Sequence, residues 1–307
     1  MSSNETEQTK NNMPGDDPPN SVPLPISKTP LYQALNAARY NRQLLIKQIN
    51  EKTGRVLICF VCAPGALINR DDTLGFVEML HNVPPNSDVD LLLHTPGGDI
   101  DAAEKLISLV HKKVGTGKQL RVIVPDFAKS AGTLMTLGAH KIVMSDSSEL
   151  GPIDPQVSID DGRGNRLNHS VLSFLDAYQQ HADELKNNPN DPVARMMLEK
   201  LDPATIKVFE QVRHRARAFA EDQLNRWMQP TRETFSKIAS DLMDVARWQS
   251  HGQMISSQDA EQLGLEVEHL APTDELWRMY WQLYCHQRLA LKDRERLFET
   301  DYASAVL

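Results

Sequence analysis

Short apolar runs alternate with amphipathic segments between residues 31 and 145. The runs are rich in β-branched residues and predict buried strands over residues 55–62, 88–95, 119–125 and 141–145. The segments before and between them carry apolar residues three and four positions apart, which predicts helices over residues 31–52, 73–81 and 101–114 and directly after Ser130. Strands that alternate with helices pair in parallel through right-handed crossovers. The pattern therefore predicts an α/β fold built of βαβ units.

The second half of the chain is mainly helical by the same criterion. Helices are predicted over residues 193–201, 203–227 and 274–298, and Ser256 and Gly264 are suited to begin and end a short helix.

We expect three regions along the chain. Residues 1–27 are rich in Asn, Asp, Ser and Pro and are expected to form a disordered leader. The main domain is expected over residues 28–270, followed by a C-terminal helical extension over residues 271–307.

Composition and charge narrow the function classes. Hydrophobic residues make up 40% of the 307 positions and charged residues 24%, as in globular proteins. The net charge of −8 does not favour nucleic-acid binding. The leader lacks the apolar segment of a secretion signal, and no apolar run approaches the roughly 20 residues that span a bilayer. We expect a cytoplasmic protein without an integral membrane segment.

The three cysteines give no disulfide framework and fit a reducing compartment. Cys59 and Cys62 form a C-x-x-C pattern, but they lie on a predicted strand, where residues three apart face opposite sides. We therefore interpret them as core residues rather than as metal ligands or a redox pair. The sequence has neither histidines at metal-ligand spacing nor a phosphate-binding loop, so no cofactor is expected.

Two loops follow the ends of predicted parallel strands, where sites gather in α/β sheets. Residues 94–98 (HTPGG) follow the second strand, and residues 126–132 (DFAKSAG) follow the third. A Pro-Gly-Gly turn presents bare backbone amides. Ser130 stands at the mouth of a helix of small residues, where it could be an N-cap or a nucleophile. With Ser130 as the nucleophile, the amides of Gly98 and Ala131 could stabilise an oxyanion.

The segment HTPGGDIDAAEKLI, followed by KSAGTLMTLGAHKIVMSDSSELGPIDPQ, resembles the Clp protease/crotonase superfamily. Within it the chain resembles the signal-peptide-peptidase-like serine peptidases, and most closely the serine dehydrogenase proteinase family. Residues 55–160 carry the resemblance, and residues 248–267 (WQSHGQMISSQDAEQLGLEV) resemble that family's closing segment. The resemblance implies a Clp protease/crotonase-like spiral of βαβ units with added C-terminal helices, in which residues 28–270 form the serine peptidase domain.

The resemblance also implies roles for single residues. Ser130 matches the family's nucleophile, and Gly98 and Ala131 match its oxyanion donors. Residues 149–156 (ELGPIDPQ) match a segment that helps to bind an extended peptide by adding it to a sheet edge. A peptide or an unfolded protein is thus the expected substrate. Helices outside the spiral commonly mediate assembly in this superfamily, which implies a homo-oligomer.

The sequence leaves the general base open. Where Clp-type peptidases carry a histidine, this chain has Asp154 and its apolar neighbours, and it has no lysine where signal-peptide peptidases carry one. His169 lies near the place of that lysine, and His251 lies within the second family-like segment. An imidazole suits a base at neutral pH, so both histidines are candidates.

His94 and Lys129 are lesser candidates for the base, and a structural interpretation is favoured for both of them and for His140. His94 stands at a strand end, which favours positioning or packing. Lys129 adjoins the serine and is interpreted as a solvated lysine, and His140 is interpreted as a structural residue at the start of a strand.

Three functions fit these observations to different degrees. The first is a serine peptidase that forms an acyl-enzyme on Ser130. The second is a crotonase-type acyl-CoA enzyme, which uses the same oxyanion hole without a serine nucleophile, but no acidic pair stands near the loops. The third is a catalytically silent peptide-binding scaffold, which would account for the missing histidine and lysine.

Overall fold

The computed structural model describes residues 28–160, 164, 166–200, 202–228 and 232–307. The predicted leader, residues 1–27, lies outside the described residues. The chain divides into two compact units, Met1–Ala37 and Ala38–Leu307. In the first unit, helix α1 (Pro30–Leu35) begins after Thr29, whose hydroxyl accepts a hydrogen bond from the Tyr32 amide at 3.3 Å.

The second unit contains the strands. They are β1 (Val56–Cys62), β2 (Val89–His94), β3 (Leu120–Ile123), β4 (Phe127–Ala128), β5 (Lys141–Met144), β6 (Glu149–Leu150), β7 (Gln156–Asp160), β8 (Arg166–Ser170), β9 (Val267–His269), β10 (Arg296–Glu299) and β11 (Ser304–Val306).

Eleven α-helices follow α1 in the described chain. They are α2 (Ala37–Thr53), α3 (Asp72–Leu80), α4 (Ile100–Val114), α5 (Ala131–Thr136), α6 (Val171–Asn187), α7 (Pro192–Glu199), α8 (Pro203–Gln223), α9 (Arg232–Leu242), α10 (Val245–Trp248), α11 (Ser257–Leu263) and α12 (Glu275–Leu289), with a π-helical turn at Leu224–Met228.

A seven-stranded sheet with the order β11-β10-β1-β2-β3-β5-β9 forms the centre of the fold. The neighbours from β1 through β9 pair in parallel, whereas β10 and β11 are antiparallel. The four predicted strands are confirmed as β1, β2, β3 and β5, and the helices between them are confirmed as α3, α4 and α5. The predicted α/β class with a mostly parallel sheet is therefore confirmed.

Both faces of the sheet are covered by apolar side chains. One face packs against α3, α4, α5 and α8 through side chains such as Phe76, Leu106 and Phe219. The opposite face packs against α2 and α12 through side chains such as Ile46 and Tyr280. Because helices cover both faces of the sheet, side chains on both sides of the parallel strands are buried. This explains why these strands are continuous apolar runs in the sequence.

Cys59 and Cys62 point to opposite faces of β1, as predicted. Cys62 belongs to the cluster on the α3 side, and Cys59 belongs to the cluster on the α12 side. Burial raises the pKa of both thiols, that of Cys62 to about 12. Neither thiol is therefore available as a thiolate near neutral pH.

The helix predicted over residues 274–298 is wrong in its second half. Helix α12 ends at Leu289, and residues 296–299 form β10, which pairs antiparallel with β1. The physical reason is that successive side chains of this segment are buried on opposite faces of the sheet: Leu297 faces the α12 side and Phe298 faces the α3 side. Residues 271–307, predicted as a helical extension, thus supply two strands to the central sheet.

A short ladder beside the central sheet positions the loops of interest. Thr95 bridges to Ala128 of β4, β4 pairs in parallel with β6, and Leu150 of β6 bridges to Ile255. The ladder therefore joins the end of β2 to three segments that are remote in sequence. No helix within the described ranges is long and apolar enough to cross a membrane.

Candidate active site

The two loops singled out in the sequence lie side by side, as predicted. The Thr95 amide donates to the Phe127 carbonyl at 3.1 Å, and the Lys129 amide donates to the Thr95 carbonyl at 3.0 Å. A Cβ atom added to Gly97 would lie 2.8 Å from the Ser130 Cβ atom and 2.7 Å from the Lys129 carbonyl oxygen. The glycine turn thus packs directly against the serine. This close packing is possible only because Gly97 has no side chain.

Ser130 occupies a strained turn between β4 and α5. Its φ of 52° and ψ of −117° are unusual for a residue with a side chain. Although Ser130 is the N-cap residue of α5, its side chain makes no capping hydrogen bond. The interpretation of the serine side chain as an N-cap is therefore wrong.

The amides of Gly98 and Ala131 have no acceptor within the described part of the chain. Gly98 has a φ of 148° and bridges to Ile68 in a parallel arrangement, in which the Ile68 amide donates to the Gly97 carbonyl and the Asp99 amide donates to the Ile68 carbonyl. Because hydrogen bonding alternates along a strand, the Gly98 amide points away from Ile68. Ala131 is the first residue of α5, where a backbone N–H has no partner inside the helix.

A cleft of about 900 Å³ opens over this turn. It is lined by Ser130 and Gly98 on one side, by Pro155 and Gln156 on another, and by Val208 and Val212 of α8. His251 lines the same cleft. One cleft thus brings together a serine, an exposed backbone amide and an imidazole from three distant parts of the sequence.

His251 is held by a buried carboxylate. Its Nδ1 atom lies 2.7 Å from Oδ1 of Asp154, and the Asp154 side chain is only 4% exposed. Asp154 lies between Ile153, whose amide donates to the Leu242 carbonyl, and Pro155 of the cleft wall. With Nδ1 protonated and donating to the carboxylate, the Nε2 atom of His251 is left as a proton acceptor.

Residues 39–290 match a protein family described as ClpP-like SDH-type serine proteinases. The chain belongs to this family. The ClpP-like SDH-type serine proteinases are serine-type peptidases, and the mostly parallel sheet of this member has the ClpP-like fold that the sequence resemblance implied.

Curated relatives and solved structures extend this comparison. The chain is 26% identical over 207 residues to MJ0137 and 27% identical over 153 residues to MJ1495, both uncharacterized proteins of Methanocaldococcus jannaschii. These alignments cover 67% and 46% of this chain, and the chain spans 63% and 48% of the two relatives.

Two solved structures are also similar, and both are mutants of the 1510-N membrane-bound stomatin-specific protease. The first, a serine-to-alanine mutant, has 14% identity and a TM-score of 0.40, with coverage of 72% of this chain and 81% of that chain. The second, a lysine-to-alanine mutant in complex with a substrate peptide, has 15% identity and a TM-score of 0.37, with coverage of 69% of this chain and 78% of that chain.

His169, the other candidate base, does not line the cleft. Gln156 and Ser158 of β7 line the cleft, so Val157 between them faces the other side of the β7–β8 hairpin. His169 pairs directly with Val157 and shares its face, and its ring packs edge-to-face on Phe174 at 5.4 Å. His169 is therefore not among the residues that line the cleft, whereas Ser130 and His251 both line it.

The other residues near the loops have structural partners. His94 is buried between the rings of Phe127 and Tyr284, and burial lowers its pKa to about 3, in agreement with the predicted packing role. His140 accepts a hydrogen bond from the Leu120 amide through Nδ1 at 3.1 Å, which confirms its structural role.

The interpretation of Lys129 as a solvated lysine is wrong. Its side chain is 13% exposed, and its ammonium donates to backbone carbonyl oxygens of other segments. The reason is the course of the chain, which folds residues 149–151 and 252–253 around the lysine.

Residues 149–156 are only partly available for the predicted peptide addition. Leu150 already pairs with β4 on one side and with Ile255 on the other. The Gly151 amide and carbonyl both bond to the Thr133 hydroxyl. Pro155 and Gln156 remain as the part of this segment that lines the cleft.

Sequence reasoning did not assign a role to Asp154. In the sequence, Asp154 was identified only as the residue at the place where Clp-type peptidases carry a histidine. The available signal was an acidic residue between Ile153 and Pro155, because a carboxylate in an apolar segment needs a partner if it is buried. Within the described residues, no group of three or more His, Cys, Asp and Glu side chains is placed to hold a metal ion.

Proposed function

We propose that this protein hydrolyses peptide bonds through an acyl-enzyme on Ser130, with His251 as the general base and Asp154 as its orienting partner. The observation that carries the proposal is that the imidazole bonded to buried Asp154 lines the same cleft as Ser130. A serine hydroxyl becomes an effective nucleophile when a neighbouring base takes its proton.

The proton transfers follow from this arrangement. Nε2 of His251 accepts the Ser130 proton while the Ser130 oxygen attacks the substrate carbonyl carbon. The imidazolium that forms is stabilised by the Asp154 carboxylate. It then donates the proton to the leaving amine, the C–N bond breaks, and an ester on Ser130 remains. Water, activated by the same Nε2 atom, attacks the ester and restores the free serine.

The negative charge on the attacked carbonyl oxygen requires donors that are already in place. The amides of Gly98 and Ala131 flank the turn that carries Ser130, and neither has an acceptor within the described ranges. Two such donors, together with the N-terminus of α5, are the elements of an oxyanion hole. These features support the assignment of Gly98 and Ala131 as the oxyanion donors.

The substrate that suits this cleft is an extended peptide. The cleft is open and runs between the glycine turn and the Pro155–Gln156 wall, and its α8 side is apolar at Val208 and Val212. A peptide or unfolded protein segment is therefore the proposed substrate. The homo-oligomeric assembly and the cytoplasmic location expected from the sequence stay predictions.

Two observations weigh against the alternatives. The coenzyme A phosphates would need basic partners, but Arg215, the one arginine among the described residues that line the cleft, is paired with Asp101 and Glu104. A silent scaffold would have no need of an imidazole that is oriented by a buried carboxylate in the cleft that Ser130 also lines.

The test combines a fluorophosphonate probe with hydrolysis of an unstructured peptide. Ser130→Ala is expected to abolish labelling and to lower kcat by at least about 10⁴-fold. His251→Asn is expected to slow both reactions strongly. Two matched controls, Ser147→Ala and His269→Asn, change an exposed serine and a histidine paired with Asp146, and both should behave as the parent. Equal labelling and hydrolysis in Ser130→Ala and the parent would rule the mechanism out.

A further inference from the structure

Lys129 directly precedes the proposed nucleophile in the chain, but it is not among the residues that line the cleft. Its stem lies against Gly151, where an added Cβ atom would meet the Lys129 Cδ atom at 2.6 Å. The Nζ atom donates to the Leu150 carbonyl at 3.0 Å and lies 3.2 Å from the Glu149 carboxylate. The residue before Ser130 is thereby joined to the segment that leads to Asp154.

The same ammonium also reaches the loop of His251. Nζ donates to the Gln253 carbonyl at 3.2 Å and approaches the Gly252 carbonyl at 3.4 Å. An ammonium carries three N–H donors, which suits simultaneous contacts with several carbonyl oxygens. Lys129 therefore links three segments: the nucleophile turn, residues 149–150 and residues 252–253.

Few other hydrogen bonds tie residues 250–253 to the rest of the described chain, and the next tie is the pairing of Ile255 with Leu150. The Gln253 amide donates to the Ser250 carbonyl and the Gly252 amide donates to the Ser250 hydroxyl, so these hydrogen bonds lie within the loop itself. Apart from the His251–Asp154 bond and the bond from the Ser250 amide to the Trp248 carbonyl, the hydrogen bonds from residues 250–253 to other described residues pass through Lys129.

We propose that Lys129 is a positioning residue that fixes the distance between the Ser130 hydroxyl and the His251 imidazole. The proposal rests on the proposed roles of Ser130 and His251. Lys129 is not among the residues that line the cleft, so it does not contact the substrate. Its effect is confined to the alignment of nucleophile and base, where a displacement of about 1 Å can cost on the order of 100-fold in rate.

The first test is Lys129→Met, which keeps the stem and removes the ammonium. We expect kcat to fall about 10- to 100-fold, with KM within twofold of the parent value. Labelling of Ser130 by the fluorophosphonate should be slower by a similar factor and still go to completion. Lys52→Met is the matched control, because Lys52 forms a 2.7 Å ion pair with Glu275 away from the cleft, and it should leave kcat unchanged.

The second test leaves the ammonium in place and displaces its stem. Gly151→Ala puts a methyl group against the Lys129 Cδ atom, so it should lower kcat in the parent and have no further effect in the Lys129→Met background. This variant keeps the proposal testable if Lys129→Met fails to fold.

Three outcomes would overturn the proposal. They are an unchanged kcat in either single variant, a rise in KM at constant kcat, and a loss of kcat that follows the unfolded fraction measured by circular dichroism. Failure of the proposed function is distinguishable, because it would appear as full activity of Ser130→Ala.

Discussion

The Nδ1 atom of His251 lies 2.7 Å from Oδ1 of Asp154, although 97 positions separate the two residues. A second histidine–aspartate pair, His269 and Asp146, has nearly the same separation of 2.8 Å, but there the carboxylate side chain is 66% exposed. Asp154 is 4% exposed, so its charge is poorly hydrated and the imidazole is its close partner. Burial, rather than distance, distinguishes the pair in the cleft from the pair at the surface.

Asp154→Asn should impair catalysis while preserving the shape of the site. The amide can donate to Nδ1 and so favour the tautomer in which Nε2 carries the proton and cannot accept one from Ser130. We expect kcat to fall about 10³- to 10⁴-fold in assays of peptide hydrolysis. Asp146→Asn makes the same change in the surface pair and should leave kcat unchanged. Similar rates for the two variants would contradict the role of Asp154.

Gly98→Ala should disrupt the proposed oxyanion donor. The φ of 148° disfavours alanine, and the new Cβ atom would lie 2.4 Å from the Ile68 carbonyl oxygen, so the turn must shift. We expect kcat to fall about 10²- to 10³-fold. Gly117→Ala is the control for backbone strain, because Gly117 also has a positive φ of 76° but no neighbour within 4 Å of the added atom. That variant should lose about 1–2 kcal/mol of stability and keep its kcat. If both variants retain parental kcat values, the Gly98 amide does not stabilise the oxyanion.

Thr133→Val should destabilise the fold more than Thr136→Val does. Both threonines are buried, but the Thr133 hydroxyl contacts the Ala128 carbonyl and both backbone polar groups of Gly151, whereas the Thr136 hydroxyl donates only within its own helix, to the Thr133 carbonyl. Removing the first hydroxyl leaves buried backbone groups without partners, at a cost of about 1–3 kcal/mol. Urea unfolding monitored by circular dichroism measures the difference. Equal free energies of unfolding would show that the Thr133 bonds add nothing.

His111→Phe should reduce the loss of stability in mild acid. The His111 ring stacks on Trp227 at 3.5 Å, and burial lowers its pKa from 6.5 to about 4. The folded state therefore keeps this imidazole neutral while the unfolded chain takes up a proton below pH 6.5. Between pH 6.5 and pH 4 the parent should lose up to about 1.4 kcal/mol per pH unit through this group. Denaturation at several pH values measures the gap between parent and variant, and a gap that does not change with pH would contradict the prediction.

Local patterns were sufficient for the central strands and for the position of the proposed nucleophile. The apolar runs identified β1, β2, β3 and β5, because strands covered on both faces need apolar residues at every position. The same reasoning did not find β10. Residues 296–299 follow a helical stretch closely, and their alternation becomes a strand signal only when β1 is available as a partner.

The choice of the proposed base also depended on tertiary contacts that the sequence does not reveal. The sequence favoured His169 over His251 as the base, because His169 lies near the place of the lysine that signal-peptide peptidases carry. Pairing of β7 with β8 turns His169 toward Phe174, and the ladder through Leu150 and Ile255 brings the adjoining loop, with His251, to Asp154.

The sequence by itself determined the α/β class, the two loops at the ends of parallel strands, and Ser130 with its neighbouring amides. These features depend on residues close together in the chain, where periodicity and glycine positions act directly. Only the tertiary structure decided which histidine shares the cleft with the serine, that buried Asp154 is the partner of this histidine, and that Lys129 is enclosed rather than solvated. Those relationships join residues 21 to 124 positions apart, and the packing of whole elements sets their distances.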